Sequence, residues 1–292
     1  MKAIKSVIVT GATSQIGVFL LPRLAERGLD VHALSRSLRS SSGPDPSVTW
    51  HRADITNGAF PDLQADCLIH LAPLTLLPSI LAKVGPCGIE RVIAFGSTSR
   101  FSKQNSSDPE EKAFALGLVE AEQELAEYGE REGVAWTVFR PTLIYGCGMD
   151  KNITIIGNFI RRFGFFPLIG DAGGLRQPVH ADDLAAACLQ VLENEVSFKK
   201  AYNLSGGETL SYRQMVERIF AAEGKRARFL RIPLPLFQLA MELASLWPPY
   251  RHLSGEMAKR MTEDLCFAHD DAVRDFGFAP REFEPPTRSC AG

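Results

Sequence analysis

The chain of 292 residues contains nothing near the roughly 18 consecutive apolar residues of a membrane-spanning helix. The apolar stretch that follows Met1-Lys-Ala-Ile-Lys5 is also too short for a secretory leader. Excess charge is lacking too. Thirty-two Lys and Arg oppose 34 Asp and Glu, a formal charge of -2, so no basic field gathers nucleic acid. The six cysteines (Cys67, Cys87, Cys147, Cys188, Cys266, Cys290) form no C-x-x-C pair that could hold zinc or exchange disulfides. They fit reduced thiols, and we expect the chain in the cytoplasm. There is no internal repeat, no G-x-S-x-G elbow, no metal-spaced histidine set and no pair of carboxylates on a common face. Hydrolase and glycosidase chemistry therefore has no footing. What is present is an ordinary globular balance, 45% hydrophobic and 23% charged, long enough for one large domain or two that share a core.

Short Val- and Ile-rich runs alternate with longer segments of helical period. Val7–Val9, Val31–Leu34, Cys67–Leu71, Arg91–Phe95 and Trp136–Phe139 each stop at Gly, Ser, Arg or Pro. Between them Ile16, Leu20 and Leu24 repeat at helical spacing, and Asp108-Pro109-Glu-Glu opens a second helix through Leu118, Glu122, Leu125 and Tyr128. This alternation predicts an α/β fold, a doubly wound parallel sheet of Rossmann type with right-handed crossovers. Near residue 150 glycines and prolines break the pattern, and a smaller C-terminal lobe begins. The expected division is 1–150 plus about 176–205 for the sheet domain, and about 151–175 plus 206–292 for the lobe. Arg176–His180 is expected as one strand running into a helix over Ala181–Glu193. Ser40–Pro46 and Ser102–Pro109 read as exposed loops.

Val9-Thr-Gly-Ala-Thr-Ser-Gln-Ile-Gly17 lies directly after the first strand and opens the first helix. Gly11 allows a sharp turn, Gly17 a close helix–sheet contact, and the free amides of the helix start suit a pyrophosphate. Ser14 stands at the middle glycine of the usual spacing; it is small, and its hydroxyl can donate to a phosphate. The alternative is a plain strand-to-helix turn. Pro22 sits inside that helix and removes one hydrogen bond. The second strand ends in Ser35-Arg36-Ser37, with Arg39 following, instead of an acid that would take a ribose 2′-hydroxyl. A guanidinium beside serines suits a 2′-phosphate, so NADP is preferred over NAD unless these arginines are only solvated loop charges. Asp54 either takes the adenine amino group or caps the turn at Thr56.

In order along the chain, Thr10–Gly17, Arg52-Ala-Asp54, Ile69-His-Leu-Ala72, Gly96-Ser-Thr-Ser99, Phe139-Arg-Pro-Thr-Leu-Ile-Tyr-Gly146 and Val179-His-Ala-Asp-Asp-Leu-Ala185 resemble the motifs of the extended short-chain dehydrogenase/reductase family. The resemblance runs to about residue 210. That family includes sugar-nucleotide epimerases and dehydratases, with a Rossmann domain for NAD or NADP and a variable lobe over the substrate. It implies that Gly11, Ser14, Gln15, Ile16 and Gly17 line the pyrophosphate, Arg36 the adenosine ribose, and Asp54 with Ile55 the adenine. Leu71 and Ala72 would line the central ribose, and Pro141 with Thr142 the nicotinamide. His180, Asp182 and Asp183 would pin the second lobe; their other readings are a metal set, a triad, or an acid-capped helix start.

The family's chemistry uses a Tyr-x-x-x-Lys pair with a Ser or Thr. The charged lysine one helical turn away lowers the phenol pKa and lets it exchange a proton while nicotinamide exchanges a hydride. Ser97 fits the hydroxyl position, with Thr98 and Ser99 as alternative registers. The pair is missing: Glu132, Met149, Gly206, Val216 and Ser254 follow the five tyrosines at the required spacing. Alignment through Ala121-Glu-Gln123 places Phe114 at the tyrosine and Leu118 at the lysine, which makes the chain an atypical member. Glu111 and Lys112 read as a solvated first turn. Tyr145 either presents a phenol to the cofactor cleft or packs against its loop.

From Ile232 to Trp247, Gln238, Glu242 and Ser245 form one narrow polar stripe on an otherwise apolar helix, which needs cover from the lobe core, from a second copy in a homodimer, or from a membrane surface. Arg228, Arg231, Arg251 and Arg260 suit an anionic substrate or plain solvation. The resemblance implies an oxidoreductase, epimerase or dehydratase acting on a small hydroxyl- or carbonyl-bearing substrate, nucleotide sugars included. The alternative is a catalytically silent NADP-binding sensor or assembly factor.

Overall fold

A computed structural model describes residues 3–36, 47–233 and 261–286. Ser37, Arg39, the Ser40–Pro46 loop, the helix expected over Ile232–Trp247, Arg251 and Arg260 lie wholly or largely outside the described residues.

Six strands build most of the main sheet: β1 (Ser6–Thr10), β2 (Asp30–Ser35), β3 (Val48–Arg52), β4 (Cys67–His70), β5 (Arg91–Phe95) and β6 (Ala135–Pro141). Short β7 (Ile144–Tyr145), β8 (Phe166–Ile169), β9 (Leu175–Arg176) and β10 (Val179–His180) follow. The last strands are β11 (Lys200–Leu204), β12 (Leu210–Ser211) and β13 (Phe229–Ile232). The helices are α1 (Gln15–Glu26), α2 (Pro78–Val84), α3 (Ser99–Ser102) and α4 (Pro109–Glu132), then α5 (Ile153–Phe163), α6 (Ala181–Val191), α7 (Tyr212–Ala222) and α8 (Asp270–Phe276).

The central sheet is fully parallel in the order β11-β6-β5-β4-β1-β2-β3. This is the doubly wound Rossmann arrangement. Alternating residues serve opposite faces: Val7 and Val9 pack with Leu20 and Leu24 of α1 and Leu184 of α6, whereas Ile8 packs with Leu118 and Leu125 of α4. Burial on both faces is why these strands read as unbroken apolar runs. Strand order reverses between β1 and β4, so a crevice opens at their carboxyl ends, Thr10 and His70.

Pro22 does not interrupt α1. It lies on the exposed face, where the carbonyl that it leaves without a partner, on exposed Val18, can turn to solvent. Arg91 of β5 is fully buried and donates to Val191 O (3.0 Å), Leu192 O (3.3 Å) and Thr137 Oγ1 (2.7 Å), tying the carboxyl end of α6 to the sheet. A third apolar cluster joins Ile156 and Ile160 of α5, Leu168 of β8, Val216 and Phe220 of α7, and Phe283. Two details depart from the sequence expectation. Arg176–His180 is not one strand: β9 pairs antiparallel with β12 and β10 parallel with β7, parted at Gln177-Pro178, where proline has no N–H for a ladder. The helix that follows ends at Val191, short of Glu193.

Candidate functional site

The turn from β1 into α1 shapes the crevice. Gly11 has φ +65°, and a Cβ there would stand 2.6 Å from Ala72 N; at Gly17 it would stand 2.1 Å from Ala12 O. Both glycines are required by backbone packed against them. Ser14 caps α1, its Oγ accepting from Gly17 N (3.3 Å), and Ser14 N donates to Gly11 O (2.8 Å). The amides of Gln15 and Ile16 stand in the first helical turn, where no intrahelical acceptor exists, and no acidic side chain occupies that turn. A pyrophosphate matches such a set of donors.

On one side of this loop lies a pocket of about 310 Å³ lined by Gly11, Ser14, Ser35, Arg36, Ile55, Leu71 and Ala72. Arg36 is exposed at its wall, at the end of β2. Asp54 does not line it. Its Oδ1 accepts from Thr56 Oγ1 (2.6 Å) and Thr56 N (3.1 Å), capping a 3₁₀ turn, and these bonds hold its carboxyl below the usual range. Its neighbour Ile55 supplies the pocket surface. Behind Leu71–Pro73 sits His70, fully buried, with Nδ1 2.8 Å from Thr10 Oγ1 and Nε2 3.2 Å from Pro73 O. The carbonyl requires the proton on Nε2, so Nδ1 accepts from the Thr10 hydroxyl.

Burial lowers the His70 pKa from 6.5 to about 4, against the opposing pull of Pro73 O. The fold thus favours the neutral ring, and this contribution is complete above the unfolded value and lost as pH falls from 6.5 toward 4. At its acid limit the loss is roughly 3 kcal/mol. Denaturant titration near neutrality and near pH 5 should show the drop. A His70→Gln variant, which cannot titrate, should show a flatter dependence; an unchanged slope would remove His70 as its source.

On the other side of the loop lies a cleft of about 490 Å³, lined among others by Gln15, Ser97, Thr98, Ser99, Lys103, Thr142 and Arg176. Ser97 Oγ accepts from Ser99 N (3.1 Å) and donates to Ser99 Oγ (3.0 Å). Thr98 N and Oγ1 both donate to Pro141 O (3.1 and 3.2 Å), which locks the end of β5 to the end of β6. Thr142 Oγ1 donates to Gln177 O. Glu122 on α4, nearly buried, receives Arg140 Nε (3.0 Å) and Arg100 Nη1 and so clamps β6 and α3 to α4. The sequence pattern showed Glu122 only as a member of a helical repeat.

The structure revises several expectations. Tyr145 does not face the cleft: it is fully buried, edge-on to His180 and Phe283, and its hydroxyl accepts from Glu284 N (3.1 Å). Its place off the cleft removes it as the proton carrier, and burial also pushes its phenol up. Glu111 is no solvated first-turn residue. It meets Lys103 Nζ (3.3 Å) and Ser106 Oγ (2.9 Å), while Lys112 is exposed. Phe114 is partly exposed, and Leu118, at the lysine position, is buried with Leu74 and Leu77. His180 Nδ1 caps α6 through Asp182 N (3.1 Å). Asp182 binds Arg23 (2.6 Å) and Arg281 (2.7 Å), and Asp183 binds Arg281 (2.7 Å), joining α1 and α6 to the C-terminal segment. Arg176 was missed as a cleft residue. It is 4% exposed and donates to Leu175 O (2.7 Å) and Glu263 O (2.6 Å), and a lone arginine in a short strand carries no local signal of this.

A parallel sheet with a glycine loop at its switch point and pockets on either side defines a dinucleotide-binding α/β protein. The sequence matches the NAD dependent epimerase/dehydratase family over residues 7–79 and 74–205, and the chain belongs to that family. It is similar to an uncharacterized protein of Sinorhizobium fredii, y4nG, at 26% identity over 66% of this chain but 50% of that one. A 2-alkyl-3-oxoalkanoate reductase of Stenotrophomonas maltophilia is 26% identical and aligns over 94% of both chains. In fold the chain is similar to a UDP-glucose 4-epimerase of Thermotoga maritima solved with UDP-glucose. The TM-score is 0.69 at 16% identity, with 98% of this chain and 96% of that one covered. No helix among the described residues is long and apolar enough to cross a membrane.

Proposed function

We propose that the chain binds NADP in preference to NAD and transfers a hydride to or from a small carbonyl- or hydroxyl-bearing substrate, with the dinucleotide laid across Gly11–Gly17. The observation that carries this is the pair of pockets divided by that loop, one ending at Arg36 and the other at Ser97 and Thr142. When bound, the nicotinamide supplies the hydride. Arg36 meets the 2′-phosphate, the amides of Gln15 and Ile16 the pyrophosphate, Ile55 the adenine, Leu71 with Ala72 the central ribose, and Pro141 with Thr142 the nicotinamide side. Asp54 shapes the adenine site through its cap on the Ile55 turn. Ser97 holds the substrate oxygen.

From the substrate lobe, about 151–175 plus 206–292, the described residues Lys151, Asn152, Leu265 and Phe267 line the cleft. Among the described residues, Lys103, Lys151 and Arg176 give the cleft a cationic lining with Asp150 as the opposing charge. An anionic substrate fits, either a nucleotide sugar or a 3-oxo acid of the class named for the Stenotrophomonas relative. Arg36→Ala should weaken NADPH binding by about 1.5–3 kcal/mol and leave NADH nearly unaffected. Titration calorimetry that gave equal affinities for the two cofactors, or an unchanged variant, would refute the preference. The absence of a Tyr-Lys pair favours a second reading, a silent NADP sensor, which measured turnover would exclude.

A further inference from the structure

We propose that Lys103 is the proton-transfer residue of the cleft, replacing the missing tyrosine; this rests on the dinucleotide-dependent reading above. Four ionisable side chains line the cleft among the described residues: Lys103, Asp150, Lys151 and Arg176. Asp150 is nearly buried and occupied: Oδ1 accepts from Asn152 N (2.9 Å) and Thr154 N (3.0 Å), Oδ2 from Thr154 Oγ1 (2.6 Å), all at the start of α5. Arg176 is bound to two carbonyls, and a guanidinium keeps its proton. Lys151 is exposed. Lys103 differs from all three. It follows α3 directly, its amide bonded to Ser99 O (3.0 Å), so it shares a rigid turn with Ser97 and Ser99.

The Lys103 side chain is 24% exposed, and Nζ stands 5.5 Å from the centroid of the Phe114 ring. Phe114 is the position that carries the phenol in the family. The amine therefore lies beside the place of the missing hydroxyl, brought there from the end of α3, which Arg100 and Glu122 hold against α4. Glu111, steadied by Ser106, supplies the counter-charge at 3.3 Å that orients the ammonium. In the reducing direction the nicotinamide hydride goes to the carbonyl carbon and the C=O π pair moves onto oxygen. That oxygen takes a proton from Lys103 Nζ, and the neutral amine regains one from water. The carbonyl becomes an alcohol and the reduced cofactor is oxidised; the opposite direction reverses each step.

The test uses the full chain, assayed for NADPH oxidation against acetoacetate and 3-oxohexanoate and for NADP reduction against UDP-glucose and UDP-glucuronic acid, alongside NADPH binding by fluorescence. With a responsive substrate, Lys103→Met should lower kcat by about 10²–10⁴-fold. NADPH affinity should be unchanged, and one ionisation should vanish from the kcat–pH profile. Lys103→Arg keeps the charge but cannot release a proton, so it should hold KM and still lose kcat. Native kcat in either variant overturns the assignment, as does native protein that binds NADPH but turns over no substrate in the panel. Failure to bind NADPH at all overturns the reading beneath it, a result that the fluorescence arm reports separately.

Discussion

Gly17→Ala should weaken NADPH binding by roughly 100-fold or more, about 2.7 kcal/mol. The added methyl would stand 2.1 Å from Ala12 O, a backbone atom of the loop that must curl around the pyrophosphate. That carbonyl cannot yield without moving Ala12 and Gly11. Gly11 is itself wedged against Ala72 N at 2.6 Å with φ +65°, a conformation that β-branched residues avoid. Gly11→Val should therefore fail in both binding and folding. Gly17→Ala is the cleaner experiment because helical φ and ψ suit alanine, so the strain is local. Circular dichroism should report a folded chain while cofactor fluorescence reports lost affinity. Parent-like binding in Gly17→Ala would show the loop to be a turn and nothing more.

The central strands were legible because β1, β2, β4 and β5 are buried on both faces, so each appears as a run instead of an alternation. The glycine loop was legible for a related reason. The Ser14 cap and the Gly17–Ala12 contact act within the loop, and Gly11 marks a sharp turn by its own type, although its packing against Ala72 is not local. Where orientation depends on distant chain, local pattern was silent. Tyr145 could be placed only by its bond to Glu284, 139 residues later, and by the ring of Phe283. Lys103 lies in a Ser-, Asn- and Asp-rich stretch that has loop composition, yet α3 turns it back onto the cleft wall. Composition reports how a segment is solvated; it does not report which way one long side chain leans. Arg176–His180 failed similarly, since a five-residue run cannot reveal that its halves bond to different strands.

Rebuilding the family pair should destabilise the chain instead of activating it. Phe114→Tyr alone changes little, within about 0.5 kcal/mol, because the ring is 42% exposed and a hydroxyl there meets water. Leu118→Lys is a different matter. Leu118 is 2% exposed in the cluster with Leu74, Leu77 and Leu125, and the acid one turn on, Glu122, is already held by Arg100 and Arg140. The cost combines the lost burial of leucine with the desolvation of a charge, about 4 kcal/mol together. Urea titration of the two single variants and the double variant should show nearly all the loss in the two that carry Leu118→Lys. A double variant as stable as the parent would mean that the Leu118 site opens to solvent, and the lysine of a working pair could then fit on α4. If the loss is seen, α4 has given its inward face at this level to the core and has no room for the family lysine, which leaves the role to Lys103 at the end of α3, beside Phe114.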